Sequence, residues 1–439
     1  MEKSLKLGLA LLFVFQLVMI AGFELAHDEA YYWLFSRHLD WGYFDHPPFV
    51  AAVIALFSFL PHSEFAVRIG FVILQFGTLF LLFRMTLPKD WRKVFLLFFA
   101  FPLASYTGLL ALPDMPLLFM SAVYFYLLKK FLDEDKRAPW FLGVAIALLL
   151  YAKYHGILLV FFTILALPKL LLRKEFWMVA IVSLVLFSPH MLWQYQHDFP
   201  TLRYHFLERP SSSFSIKRIL DYIGTQILLS GFLAGPVLWW QMRKVRATTS
   251  FERVLIFNAW GIFFFFLIST FSKKVEANWT ISLVIPLILL LVQHPFWAKK
   301  NGQIILVASF TVVVFLRLVF LFPSLPIKRM GEFHGWKNWA QVVDDKCGGK
   351  KILANSYQIA SKLSFYLNRE ISALNLHSRK NHFDLWDREI MGEVCYVTDK
   401  SGFEGEEIET PEMKKLRVVR NFTGEALLLR KIEENTQDR

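Results

Sequence analysis

Two acidic sites, the pair Asp28-Glu29 and Asp45, lie between residues 26 and 49, in a stretch that reads AHDEAYYWLFSRHLDWGYFDHPPF. Asp28 and Glu29 follow the first strongly apolar segment, and Asp45 and His46 precede a pair of prolines. A carboxylate in such a position can act as a general base that deprotonates a hydroxyl nucleophile. The alternative for Asp28 and Glu29 is a helix N-terminus, where acidic side chains are favoured. The alternative for Asp45 and His46 is a loop-to-helix corner set by the prolines.

A further acidic residue, Asp114, lies between Pro113 and Pro116 at the boundary of two apolar segments. Charged groups near a membrane are costly and commonly functional. Pro and Asp also form tight turns, which is the alternative explanation. We predict a functional role, because this short connection has no other polar residue.

Several basic residues occur near the ends of apolar segments. Each one alone is explained by a long side chain that reaches the membrane surface from a helix end. Together they could bind an anionic group such as a phosphate. These candidates are Arg68, Lys153, His155, Lys273 and Lys274.

The histidines His27, His38, His46 and His155 raise the question of a metal site. Neither the HxH nor the HExxH spacing is present among them. The sequence therefore predicts no metal or other cofactor, although a divalent ion would be compatible with these side chains.

The two cysteines, Cys347 and Cys395, both lie near the C-terminus. They could form a disulfide in an oxidising compartment or remain as two buried thiols.

The composition identifies an integral membrane protein. Of 439 residues, 55% are hydrophobic and only 19% are charged, against about 25% charged residues in soluble domains. The net charge of +12 is explained by Lys and Arg in cytoplasmic loops, which set membrane topology. It does not indicate nucleic-acid binding.

The apolar segments predict an all-α polytopic domain over residues 1–325 with eleven spans. The first is a retained helix with a cytoplasmic N-terminus rather than a signal peptide. The run Pro47–Leu60 is short and is predicted to lie at the membrane surface, inside a first outer loop of residues 25–64. With that count, the Lys/Arg-rich loops all fall on the cytoplasmic side. The predicted spans are Leu7–Phe23, 65–84, 93–111, 115–131, 138–153, 156–172, 175–193, 216–240, 254–271, 279–293 and 302–322.

Residues 326–439 have the composition of a small soluble α/β domain, which the odd span count places on the outer side of the membrane. One helix-like stretch covers Ser356–Leu367. Gly, Asn and Asp clusters separate the strand-like runs. These runs are Lys351–Ala354, Ile371–Leu374, Val394–Thr398, Leu416–Arg420 and Ala426–Lys431.

The motifs HDEAYYW, DHPP, FAVRIG, LPDMPLLF and KYHG resemble those of membrane glycosyltransferases related to protein O-mannosyltransferases. The bacterial members include lipid A aminoarabinose transferases and lipopolysaccharide-core galacturonosyltransferases. The segments SYQIASKLSFYLNRE and FDLWD resemble the C-terminal domain of these bacterial members. The resemblance covers nearly the whole chain and implies a GT-C fold. It also implies an inverting enzyme that takes a sugar from a polyprenyl-phosphate carrier.

By the same resemblance, Asp28 matches the catalytic base and Glu29 its acidic partner. Arg68 matches an arginine that contacts the donor phosphate, and Asp114 matches a second functional aspartate. Asp45 and His46 are predicted to bind the donor phosphate or sugar. They stand where the aminoarabinose transferases carry Glu-Lys, so an amino sugar is not the expected donor. The resemblance implies lipid A, lipopolysaccharide core or another glycolipid as acceptor, in the bacterial inner membrane with a periplasmic active site.

Two alternatives remain open from the sequence. One is a protein O-mannosyltransferase, and the other is a transporter or flippase of a lipid-linked sugar. A transporter is expected to carry charges or broken helices at mid-membrane, whereas the polar candidates here lie at span ends. We also expect the C-terminal domain to cover the acceptor site.

Overall fold

The computed structural model describes residues 3–204, 213–323, 328–376, 378–386, 392–425 and 431. Most of the first 322 residues form helices that pack side by side around one apolar core. The predicted run Ala426–Lys431 and the final residues lie, apart from 431, outside the described residues.

Helices α1–α16 belong to the membrane part. Their bounds are α1 Lys3–Ala21, α2 His27–Arg37, α3 Phe49–Leu56, α4 Glu64–Met85, α5 Trp91–Ala100, α6 Pro102–Tyr106, α7 Asp114–Leu132, α8 Ala138–Ala152, α9 Ile157–Ala166, α10 Lys174–Gln196, α11 Pro200–Arg203, α12 Ile216–Leu229, α13 Ala234–Met242, α14 Ser250–Ser269, α15 Val284–Leu291 and α16 Lys300–Leu318. Two 3₁₀ segments, Tyr154–Gly156 and Ala277–Leu283, precede α9 and α15 at the end of the bundle that carries the candidate site.

Each predicted span contains helix, but the helices differ in length. Within the described residues, six are long and apolar enough to cross a membrane, and a bent pair would make seven. The other predicted spans are shorter or broken helices, so the count of eleven stays a prediction.

The bent pair is α12 and α13, whose axes differ by 105°. At its start, Arg218 Nη1 donates to the Thr270 carbonyl at the end of α14, over 3.0 Å. At its end, Trp240 and Lys244 line a surface groove with His294, which lies in the connection before α16. The pair therefore passes from one end of the bundle to the other.

Helix α3 occupies the Pro47–Leu60 run. Eight residues rise about 12 Å, which is far less than a hydrocarbon core of about 30 Å. Its length therefore agrees with a helix that does not cross.

Close helix packing is achieved with small residues. A Cβ added at Gly143 in α8 would lie 2.7 Å from the Cβ of Val182 in α10. Small residues allow backbones to approach in this way in membrane proteins, where dispersion contacts hold helices together.

The C-terminal part is a small α/β domain, as predicted. It contains α17 Trp336–Cys347, α18 Tyr357–Tyr366, β1 Lys351–Ala354, β2 Ser372–Ala373, β3 Glu393–Thr398, β4 Glu406–Glu409 and β5 Lys415–Thr423. The strand order is β2-β1-β3-β5-β4. Strand β1 is parallel to both β2 and β3, and β5 is antiparallel to β3 and β4.

Helix α17 and strand β4 were not predicted from the sequence. In α17, the buried residues Trp336, Trp339, Ala340, Val343 and Cys347 follow helical spacing, and this periodicity was available in the sequence. Strand β4 reads EEIE at the sheet edge and has no apolar alternation to reveal it.

A disulfide joins Cys347 at the end of α17 to Cys395 in β3, with a Cα–Cα distance of 5.5 Å. The structure thus decides between the two alternatives for the cysteines. Disulfides persist in oxidising compartments, which agrees with the predicted periplasmic position of this domain.

The C-terminal domain packs on α2 through α18. Lys362 is fully buried, and its ammonium donates to the carbonyls of Leu25 and Glu332. Tyr366 accepts a hydrogen bond of 2.8 Å from the Leu25 amide. Burial lowers the pKa of Lys362 to about 7. These contacts place α18 directly beside the stretch that carries Asp28.

Candidate active site

One cavity of about 520 Å³ lies between the membrane helices and the C-terminal domain. Its polar lining includes the predicted residues Asp28, Asp45, His46, Lys153, His155 and Lys273, together with Tyr31, Tyr32, Tyr204, Trp279, Tyr357 and Arg379. The predicted residues come from separate loops, and the fold brings them together at one end of the bundle.

Asp28 is in the first turn of α2 and faces this cavity. The N-cap residue of this helix is Ala26, whose amide donates to the Glu29 carboxylate over 2.8 Å, so Asp28 does not serve as the N-cap. Its Oδ1 accepts a hydrogen bond of 3.2 Å from the Tyr357 hydroxyl. The surrounding protein reduces hydration and raises the pKa of Asp28; the nearby Glu332 raises it further, and the Tyr357 hydrogen bond lowers it. A carboxylate with a raised pKa is a stronger general base than an ordinary aspartate.

Asp45 lies on the same cavity wall and is held from two sides. Its Oδ2 accepts a hydrogen bond of 2.9 Å from the Tyr31 hydroxyl, and its Oδ1 accepts one from Arg379. Burial raises the pKa of Asp45 to about 6, against the lowering effect of the Arg379 charge. The Tyr31 oxygen also accepts from the His382 amide over 2.7 Å, which ties this wall to the C-terminal domain.

Lys153 is a buried cation at the end of α8. Its Nζ lies 2.9 Å from Asp114 Oδ1. The other Asp114 oxygen accepts a hydrogen bond of 2.8 Å from Asn278 Nδ2. Lys153 lines the cavity, whereas Asp114 contacts Lys153 without being part of the cavity lining. Asp114 therefore fixes the position of the Lys153 ammonium.

Glu29 and Arg68 form a fully buried pair that does not line the cavity. Arg68 Nε and Nη2 each donate to Glu29 over 2.7 Å. The remaining Arg68 N–H groups donate to the carbonyls of Ile20, Phe23 and Glu24. Glu29 also accepts from the amides of Ala26 and Ala111.

This network changes the interpretation of both residues. All five Arg68 donors are used inside the protein, so in this arrangement none is left for a donor phosphate. Glu29 is likewise out of reach of a ligand in the cavity. We interpret the pair as a structural contact that connects α1, α2 and α4 with the segment around Ala111, which precedes α7.

The remaining predicted cations divide into two groups. His155 packs against Trp279, with ring centroids 5.1 Å apart, and lines the cavity with Lys273. Lys274 is 77% exposed, forms an ion pair of 3.1 Å with Glu276, and does not line the cavity. The structure therefore does not bring Lys274 to the site.

Two cavity residues from the C-terminal domain, Tyr357 and Arg379, were not among the predicted site residues. Tyr357 lies inside the SYQIASKLSFYLNRE segment that the resemblance had singled out. No local pattern around Arg379 marks it, because its role comes from its long-range contact with Asp45. Asn278 was also missed, although it lies in a polar stretch that the topology places at this face.

The structure shows no group of three His, Cys, Asp or Glu side chains that could hold a metal ion within its described ranges. The cavity lining itself carries carboxylates, phenols, imidazoles and cationic side chains.

Comparison with known sequences points to sugar-transfer proteins. Residues 45–193, less than half of the chain, match the family model described as dolichyl-phosphate-mannose-protein mannosyltransferase. The lipid A galacturonosyltransferase RgtD of Rhizobium johnstonii is 23% identical over 276 residues, which is 58% of this chain. The chain spans 57% of that relative's length.

Comparison with solved structures identifies the fold. ArnT from Cupriavidus metallidurans in the apo state matches with a TM-score of 0.65 at 14% identity, over 94% of this chain and 98% of that chain. The same protein bound to undecaprenyl phosphate matches with a TM-score of 0.65 at 15% identity over the same shares. The predicted resemblance to bacterial membrane glycosyltransferases is thus confirmed, and so is the GT-C fold with a small C-terminal domain.

Proposed function

We propose that this protein is an inverting glycosyltransferase that moves a sugar from a polyprenyl-phosphate carrier to lipid A or lipopolysaccharide core. The observation that carries the proposal is the joint presence of Asp28 and Lys153 in one cavity at the end of a membrane helix bundle. A base and a phosphate-binding cation are the two groups that this reaction requires.

The donor fits this site because it is an amphipath. Its polyprenyl chain can remain in the lipid while its phosphosugar enters the cavity from the membrane surface. Lys153 and Lys273 are the cations that would contact the phosphate. A neighbour of the same fold has been solved with undecaprenyl phosphate, which supports a carrier of this type.

The reaction is a single displacement at the anomeric carbon. An acceptor hydroxyl attacks that carbon as Asp28 takes its proton. The bond between the anomeric carbon and the phosphate oxygen breaks, and the carrier phosphate leaves with the electron pair. Lys153 and Lys273 stabilise the charge that develops on it. Attack from the face opposite to the phosphate inverts the anomeric configuration.

Asp45 and Tyr31 are placed to orient the sugar. A carboxylate and a phenol on the same wall can hydrogen-bond ring hydroxyls. The acceptor assignment to lipid A is supported by the name of the relative RgtD. We further propose that the cavity opens to the periplasm, because the Lys/Arg-rich loops then lie in the cytoplasm.

Asp28→Asn tests the proposal in proteoliposomes that contain donor and acceptor. We expect sugar transfer to be lost, by about a thousandfold or more, with donor binding retained. The matched control is Asp40→Asn, since Asp40 is in the same loop but binds Trp41 and Trp193. Transfer by Asp28→Asn at the wild-type rate would show that Asp28 is not the base.

The alternatives are separated by the product. We expect mass analysis of lipid A and core oligosaccharide to show loss of one sugar in cells that lack the protein. A protein O-mannosyltransferase would instead leave these glycolipids unchanged and remove sugar from proteins. A flippase would still move lipid-linked sugar across the bilayer when Asp28 is replaced by Asn.

A further inference from the structure

A second cavity of about 690 Å³ lies in the C-terminal domain. Strand β1 is flanked by β2 on one side and β3 on the other, and all three are parallel. After β1 the chain forms β2 on one side of it, and the next strand, β3, pairs with β1 on the other side. In α/β sheets, ligands bind at such a switch point, outside the carboxyl ends of the strands. Asn355, directly after β1, and Val397, in β3, line the cavity.

The lining of this cleft is rich in hydrogen-bonding groups. Asn355, Asn375 and Asn381 line it; the first and last are bonded within the protein, whereas the buried Asn375 Oδ1 has no hydrogen-bond partner among the described residues. The first turn of α18, a helix of 10 residues whose N-terminal N–H groups favour anions, also contributes to the lining. An unpaired amide oxygen that can accept from a hydroxyl, next to a helix N-terminus, fits a saccharide that carries a negative group.

The charges in the cleft agree with this ligand. Arg379, Lys414 and Lys415 line it, together with the carboxylates Asp399 and Glu412. Both carboxylates have partners in the protein. Asp399 accepts from Asn355 Nδ2 over 3.2 Å, and Glu412 binds His27 at 2.8 Å and also Lys414.

The cleft is adjacent to the candidate active site, because Tyr357 and Arg379 line both cavities. On the other side of this shared wall, Tyr357 binds Asp28 and Arg379 binds Asp45. A sugar held in the cleft would therefore lie next to the candidate base.

We infer that this cleft binds the phosphorylated saccharide headgroup of the acceptor glycolipid. The inference rests on the proposed function, because it assigns the cleft to the acceptor of that reaction. The acceptor lipid would remain in the membrane, its headgroup would enter between α18 and the β4–β5 turn, and one hydroxyl would reach Asp28 past Tyr357.

Gln358 offers a sharp test, because it is the second residue of α18 and lines the cleft. Gln358→Glu keeps the shape and adds a negative charge that a helix N-terminus tolerates well. Gln358→Lys adds a positive charge at the same place. The matched controls are Gln341→Glu and Gln341→Lys, since Gln341 is exposed on α17 and does not line the cleft.

The measurement is equilibrium binding of a phosphorylated glucosamine disaccharide to the full-length protein in nanodiscs, without donor. We expect Gln358→Glu to weaken binding about tenfold and Gln358→Lys to tighten it severalfold. Both Gln341 variants should stay within about twofold of the wild type. The unphosphorylated disaccharide and inorganic phosphate should each bind at least about tenfold more weakly than the complete headgroup.

Two results would overturn the inference. One is an affinity for the disaccharide that is the same in Gln358→Glu, Gln358→Lys and the wild type. The other is inorganic phosphate binding as tightly as the phosphorylated disaccharide. Failure of the proposed function has a different signature. In that case the headgroup would bind with the expected dependence on Gln358, but no sugar would be transferred to lipid A or core.

Discussion

The Tyr357 hydroxyl donates a hydrogen bond of 3.2 Å to Asp28 Oδ1, which joins two residues 329 positions apart in the chain. Asp28 belongs to the membrane part and Tyr357 to the C-terminal domain. The candidate base is therefore contacted by the domain that we predicted from the sequence to cover the acceptor site. It follows that the C-terminal domain should influence the protonation of Asp28 as well as acceptor access.

Replacement of Tyr357 by Phe should shift the pH dependence of transfer. Reduced hydration beside the C-terminal domain raises the pKa of Asp28, and the Tyr357 hydrogen bond lowers it. Without the hydroxyl, the pKa of Asp28 rises further, so a higher pH is needed to ionise the base. We expect the acid limb of kcat/KM to move to higher pH. Tyr195→Phe is the control, because Tyr195 is 69% exposed. An unchanged limb would show that Tyr357 does not tune the base.

Lys153 and Asp114 should act as a unit. Lys153→Met removes the cation proposed to contact the phosphate, so the donor KM should rise about tenfold. Asp114→Asn keeps the shape but releases Lys153, so its effect should be of the same kind and smaller. In a double-mutant cycle on donor binding we expect a coupling of about 1–3 kcal/mol. Strictly additive effects would contradict the orienting role of Asp114.

Arg68→Lys should impair stability rather than donor binding. Lysine lacks the planar fork of donors, so Glu29 and the three carbonyls that Arg68 binds would lose partners. We expect a loss of about 3 kcal/mol of stability, measured as a lower Tm in detergent, with an unchanged donor KM in the folded fraction. Arg173→Lys, at a half-exposed position, is the control. A raised donor KM at wild-type Tm would instead support direct phosphate contact.

The disulfide should stabilise the C-terminal domain and thereby keep Tyr357 and Arg379 at the cavity. Cys347 and Cys395 enclose a separation of 48 residues, for which loop closure predicts about 4 kcal/mol of stabilisation. We expect the double Cys→Ser variant to be cleaved faster by protease within 330–425 and to transfer sugar more slowly. Equal protease resistance of the variant and the wild type would contradict this.

The orientation can be tested with topology reporters. A reporter fused after Lys328 should give an extracytoplasmic signal, because an odd number of spans precedes it. A reporter placed at Lys136, between α7 and α8, should give a cytoplasmic signal and serves as the control. A cytoplasmic signal after Lys328 would refute the count of eleven spans.

The sequence alone determined the membrane character, the positions of the apolar helices and most strands of the C-terminal domain. These are properties of local composition and periodicity. It also marked Asp28, Asp45, Asp114 and Lys153, since a charged residue is conspicuous at the end of an apolar segment.

Only the tertiary structure showed which of the candidate residues line the cavity and which support the fold. Arg68 and Glu29 satisfy each other inside the bundle, Lys274 faces outward, and Tyr357 and Arg379 enter from the far end of the chain. The physical reason is that hydrogen-bond partners are chosen by three-dimensional neighbours. A charge that looks available in the sequence can be fully paired once carbonyls and carboxylates from other segments surround it.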